Sequence, residues 1–110
     1  MSLTQLEHAP IELHLRIQIP QGTRDRFFSF LHGAIPFYES LGGIRVRLLE
    51  DKNDEHRFIE VIEYDSQESF DRDDLRVRED PEMKSMLERW RALLERPPVV
   101  EVYRTRISSL

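Results

Sequence analysis

The chain has 110 residues, 39% of them apolar and 34% charged, with a formal net charge of -5 and no cysteine. That length suits one domain with a modest core, and the missing thiols exclude disulfides, thiolate metal sites and cysteine nucleophiles. An acidic balance without a long basic run argues against nucleic acid as a partner. No apolar stretch reaches the roughly 18 residues of a membrane helix, so the expectation is a cytoplasmic protein with no membrane partner.

Residues 1–9 read as a flexible N-terminal tail of the single domain that spans 1–110. From Ile11 the sequence alternates strictly: Ile11, Leu13, Leu15, Ile17 and Ile19 share one side, with Glu12, His14, Arg16 and Gln18 on the other. That is a strand with one buried face, ended by Pro20 and Gly22. Thr23 is placed to cap a helix whose apolar face holds Phe27, Phe30, Leu31, Ala34, Phe37, Tyr38 and Leu41. Pro36 predicts a kink or break there, and Gly42-Gly43 a stop.

Ile44–Glu50 and Arg57–Asp65 read as a hairpin turning at Asn53-Asp54. Setting Arg47 opposite Glu60, Glu50 opposite Arg57, and Val46 opposite Val61 matches charge with charge and apolar with apolar. Asp65 and Glu68 have the spacing of a capping box before Phe70, so a short helix is expected to about Leu75. The charged run from Asp71 to Asp80 reads as a solvated connection. Asp80-Pro81 opens another helix, with Met83, Met86, Leu87, Trp90, Leu93 and Leu94 on one stripe. Pro97-Pro98 ends it, and Val99–Ile107 is the last strand. This β-α-β-β-α-β order predicts an α+β domain of ferredoxin-like topology, a four-stranded antiparallel sheet with helices on one face.

The other sheet face is then open. In the charge-matched register it carries Glu12, His14, Arg16, Arg45, Arg47, Leu49, Phe58, Glu60, Ile62 and Tyr64. Which side of the last strand joins it, Glu101-Tyr103 or Val100-Val102, stays undecided. Such a half-apolar surface predicts a homodimer formed sheet to sheet.

The run Phe37-Tyr38-Glu39-Ser40-Leu41-Gly42-Gly43 before a strand, and Glu63-Tyr64-Asp65-Ser66-Gln67-Glu68-Ser69-Phe70 after one, resemble the dimeric α/β-barrel superfamily. The likeness is to its antibiotic biosynthesis monooxygenase-like and NIPSNAP-like members, over residues 11–107. It implies pairing into a dimeric α/β barrel with ligands between helices and sheet. It also implies an activity such as cofactor-independent oxygenation of aromatic substrates or haem degradation. Where haem-degrading relatives place an Asn on the first strand, a Trp after the Phe of the run and a ligating His on the last helix, this chain has Leu15, Asp73 and Leu87. The haem activity is therefore not expected.

The four histidines, His8, His14, His32 and His56, have no metal-site spacing, and neither a metal nor a cofactor is expected. On the expected open face, His14 and Glu60 form a candidate proton-transfer pair, with Arg47 to stabilise an anion. Arg16 and Arg45 are candidate anion-binding residues. Phe27, Phe37, Phe70 and Trp90 are candidates to line an apolar crevice for an aromatic ligand, and Tyr64, on the open face, is a further ligand-binding candidate. The function these support is a small-molecule-binding, monooxygenase-like enzyme acting on an aromatic or carbonyl-bearing metabolite without a cofactor. The alternative is a non-catalytic homodimeric ligand- or protein-binding module. An enzyme needs that crevice open.

Overall fold

The computed structural model describes residues 11–107; the tail expected over 1–9, with His8, lies outside them. The elements are β1 (Ile11–Gln18), α1 (Arg24–Glu39), β2 (Ile44–Asp51), β3 (Asp54–Tyr64), α2 (Gln67–Glu79), α3 (Pro81–Arg91) and β4 (Val99–Arg104). The strands form one antiparallel sheet in the order β2-β3-β1-β4. The α+β ferredoxin-like class is the one read from the sequence.

Several local expectations change. Thr23 does not cap α1 through its side chain; its hydroxyl donates to the Pro20 carbonyl at 2.7 Å. The helix runs through Pro36 without a break. The cap of α2 is Ser66, one residue later than expected, and its Oγ accepts from the Ser69 N–H at 3.1 Å. The charged run is helix, not connection. Its polar sides are tied at i,i+4 spacing, Gln67 to Asp71 and Arg78 to Asp74, while Ser69 and Asp73 turn inward. Asp80 caps α3 as expected, accepting from the Glu82 N–H at 3.0 Å with Pro81 in the first turn.

The hairpin register moves by one residue. Arg47 lies opposite Val61 and Leu48 opposite Glu60, and an irregularity at Glu50/Asp51 absorbs the difference before the Lys52-Asn53 turn. A one-residue slip exchanges the faces of a strand. Phe58, Glu60, Ile62 and Tyr64 therefore share the side of Leu15 and Ile17, beneath the helices, instead of the open face. Phe58 packs with Leu15, Ile17, Phe27, Leu31 and Trp90 in the main core. The open face keeps Glu12, His14, Arg16, Arg45 and Arg47, joined by Ile59, Val61 and Glu63, and by Glu101 and Tyr103 of β4. Val100 and Val102 turn to the helix side, yet each stays more than half exposed, because α2 and α3 do not reach across the edge strand.

A candidate active site between helices and sheet

The sheet floor and helical roof do not close on each other. They enclose a cavity of about 320 Å³, within the range of small-molecule sites. Leu13 and Leu15 of β1, Ile62 of β3, and Val100 and Val102 of β4 make an apolar floor. Val77 of α2 with Met83 and Leu87 of α3 make the roof, Phe70 closes one flank, and Arg91 stands at the rim. The crevice that an enzyme would need is open, and Phe70 and Trp90 line it without filling it.

Glu60 projects into this lining at 2% exposure. Among the described residues, the buried side-chain atoms without a hydrogen-bond partner are Glu60 Oε1, Trp90 Nε1 and Tyr38 Oη. All three residues line the cavity. Burial pushes the Glu60 carboxyl up to about 7, opposed in part by the nearby Trp90 N–H; that N–H lowers the value without the geometry of a full bond. Burial also raises the Tyr38 phenol, and the charge of Glu60 raises it further. Glu60, Trp90 and Tyr38 thus act on one another across a shared space.

A second polar group is satisfied. Tyr64 Oη donates to Asp73 Oδ2 at 2.6 Å, and Arg76 Nη2 donates to Asp73 Oδ1 at 2.9 Å. Arg76 also donates to the carbonyls of Tyr38 and Phe37, at 2.7 and 3.1 Å. This buried pair ties α2 to the C-terminal turn of α1. The Tyr64 phenol is raised by burial first, then by its bond to Asp73. Phe37 does not line the cavity; it lies outside, under the Arg76 guanidinium at 5.1 Å.

The expected His14–Glu60 pair does not exist. His14 is on the open face, opposite Val61, with Nε2 2.9 Å from Glu12 Oε2 and its ring 4.9 Å from that of Tyr103. Arg47 lies there too, donating to Glu63 at 2.7 Å, so it is apart from Glu60. Arg16 Nε donates to Glu101 at 2.7 Å. That bond raises the guanidinium and lowers the carboxyl. Arg45, opposite Glu63, is exposed on the same side. Of the residues singled out from sequence, the structure brings together Glu60, Tyr64, Phe70 and Trp90. It adds Tyr38, which the apolar stripe of α1 already contained. Among the described residues no group of three or more His, Asp or Glu is placed to hold a metal ion, and no helix is long and apolar enough to cross a membrane.

Solved structures of other proteins have the same shape. The cofactor-independent oxygenase SnoaB from Streptomyces nogalater superposes with a TM-score of 0.74 at 16% identity, over 92% of this chain and 97% of that one. Rv0793 from Mycobacterium tuberculosis gives 0.71 at 20% identity, over 93% and 100%. A candidate antibiotic biosynthesis monooxygenase from Nitrosomonas europaea gives 0.72 at 11%, over 89% and 91%. The fold is that of the antibiotic biosynthesis monooxygenase-like proteins. No protein-family model and no curated protein matches the sequence. Leu15, Asp73 and Leu87, which stand where the resemblance implies Asn, Trp and His, all line the cavity. The cavity is thus in the expected place with different chemistry on its walls.

Proposed function

We propose that the chain is a small-molecule enzyme of the cofactor-independent monooxygenase-like kind, with Glu60 as its general base. Its substrate is an aromatic or carbonyl-bearing metabolite held in the helix–sheet cavity. The observation that carries this reading is a carboxyl buried with Oε1 unpartnered in a largely apolar cavity. A carboxyl whose pKa is near 7 is suited to take a proton from a phenol or from carbon beside a carbonyl. The proton moves to Glu60, and the electron pair spreads onto the ligand's oxygen. Trp90 Nε1–H and Tyr38 Oη–H are the donors available to that oxygen. In the oxidative branch, a methylene beside the carbonyl and one molecule of oxygen become a second carbonyl and one of water. The chain's part is deprotonation and charge stabilisation. The likeness to SnoaB supports this branch. His14, Arg16, Arg45 and Arg47, on the opposite sheet face, take no part.

The test is oxygen consumption with a panel of phenols, hydroxyquinones and diketones. Any substrate found should lose about 100-fold or more in turnover with Glu60→Gln, at unchanged circular dichroism. Equal rates in the two proteins would remove Glu60 from the chemistry.

We propose also that the open sheet face pairs with a second copy of the chain. Leu49 and Tyr103 stand exposed there beside the Arg16–Glu101 and Arg47–Glu63 pairs. Leu49→Glu with Tyr103→Glu should convert a dimer to a monomer in sedimentation. Wild-type protein that sediments as a single chain would overturn the pairing.

A further inference from the structure

We propose that the cavity takes ligands bearing a hydroxyl group, and that Glu60 keeps anionic molecules of the same shape out. This rests on the ligand-cavity reading above and adds the ligand's charge and polar group. The three unpartnered atoms supply one carboxylate acceptor at Glu60 and two hydrogen-bond donors, Trp90 N–H and Tyr38 O–H. A hydroxyl has one donor and two lone pairs, the complement of that set.

The charges facing the cavity decide against anions. From α1 comes Tyr38, from β3 Glu60 and Tyr64, from α2 Asp73 and Asp74, and from α3 Arg91. Asp73 is held by Tyr64 and Arg76. Asp74 is paired with Arg78. Arg91 is exposed at the rim, and Arg76 is committed to Asp73 and two backbone carbonyls. An anionic ligand would thus meet Glu60 with no buried cation left to answer it. An ammonium gains Glu60 as its counter-charge, with Tyr38 Oη as a second acceptor, so the exclusion is of anions and not of cations.

The test uses two probes of one shape: naphthalene-methanol and naphthoate. Binding is measured by calorimetry at about pH 8. The side-chain N–H resonance of Trp90, the sole tryptophan, reports whether the probe occupies the cavity. Naphthalene-methanol should bind and shift that resonance, and naphthoate should bind at least tenfold more weakly. Glu60→Gln should bring naphthoate to within about threefold of the alcohol. Naphthoate binding as tightly as the alcohol to the wild type would overturn the proposal, as would discrimination that survives Glu60→Gln. If no probe moves the Trp90 resonance, the ligand-cavity reading itself falls, and the proposal with it. Should Glu60→Gln fail to fold, the wild type decides. Naphthoate affinity should rise between about pH 8 and pH 6 while that of the alcohol stays level, and parallel profiles would overturn the proposal.

Discussion

Glu60 and Glu63 stand three residues apart on one strand and lead opposite lives. Glu63 faces the open side of the sheet, where Arg47 reaches it at 2.7 Å. Glu60 faces the helices, in an apolar lining, with Oε1 unpartnered. The open face carries most of the conspicuous charge, and its groups answer one another: Arg16 with Glu101, Arg47 with Glu63, His14 with Glu12. A solvated sheet surface uses charge in this way. The helix side carries little charge and leaves one carboxyl unanswered, which folding alone disfavours. What separates a site from a surface here is the shortage of partners around an acid.

The sharpest way to break the comparison is the turnover test, where Glu60→Gln costs about 100-fold and Arg47→Gln leaves the rate within about twofold. The next effect is on stability. The Glu60 carboxyl rises from 4.5 toward about 7 on folding, so the native state holds that proton more tightly than the unfolded chain. The favourable contribution is complete below about pH 4.5 and is lost as pH rises through about 7. The total is on the order of 3 kcal/mol. Urea midpoints of wild type and Glu60→Leu should diverge as pH rises from about 5 to 8, with the variant gaining. Parallel curves would mean that Glu60 ionises as freely inside as outside. A satisfied polar group on the same side should behave in the opposite sense. Tyr64→Phe leaves Asp73 Oδ2 without its donor and should cost about 1–3 kcal/mol by the same urea measurement. No loss would show that the oxygen finds water instead.

Much of the fold was legible because periodicity reports directly on burial. The alternation from Ile11 and the stripes of α1 and α3 needed no tertiary knowledge. The site was half legible. The sequence singles out Trp90, Phe70, Tyr64 and Glu60, but the charge-matched register puts Glu60 and Tyr64 on the wrong face. That register pairs opposite charges only straight across the hairpin, whereas Arg47 meets Glu63 on the diagonal, two residues beyond its register partner Val61. The irregularity at Glu50/Asp51 then absorbed the leftover residue. A better signal was present. Phe58, Ile62 and Tyr64 form the more aromatic side of β3, and one acid within such a set marks a buried carboxyl. The helical state of Asp71–Glu79 was hidden for another reason. Its stability comes from caps and charge pairs, while its inward side sets polar Ser69, Asp73 and Arg76 among only two apolar residues, Phe70 and Val77, too few to read as a period.

The smallest effect sharpens the comparison most on the open side. Arg47 is half exposed and Glu63 about one-third exposed in the single chain, so Arg47→Gln should change stability by no more than about 0.5 kcal/mol, and less in added salt. That expectation belongs to a wet surface. If two copies pack sheet to sheet, the same pair is withdrawn from water, and removing one partner strands the other charge. The cost would then exceed about 1 kcal/mol and depend on protein concentration, since a mutation at an interface shifts an association equilibrium. Urea titrations at two protein concentrations distinguish the cases. A small, concentration-independent change keeps the open face a solvated surface, and Glu60 is then the one acid of β3 without an ordinary structural use. A larger change that grows on dilution makes Glu63 a buried acid too, one whose partner the same chain provides.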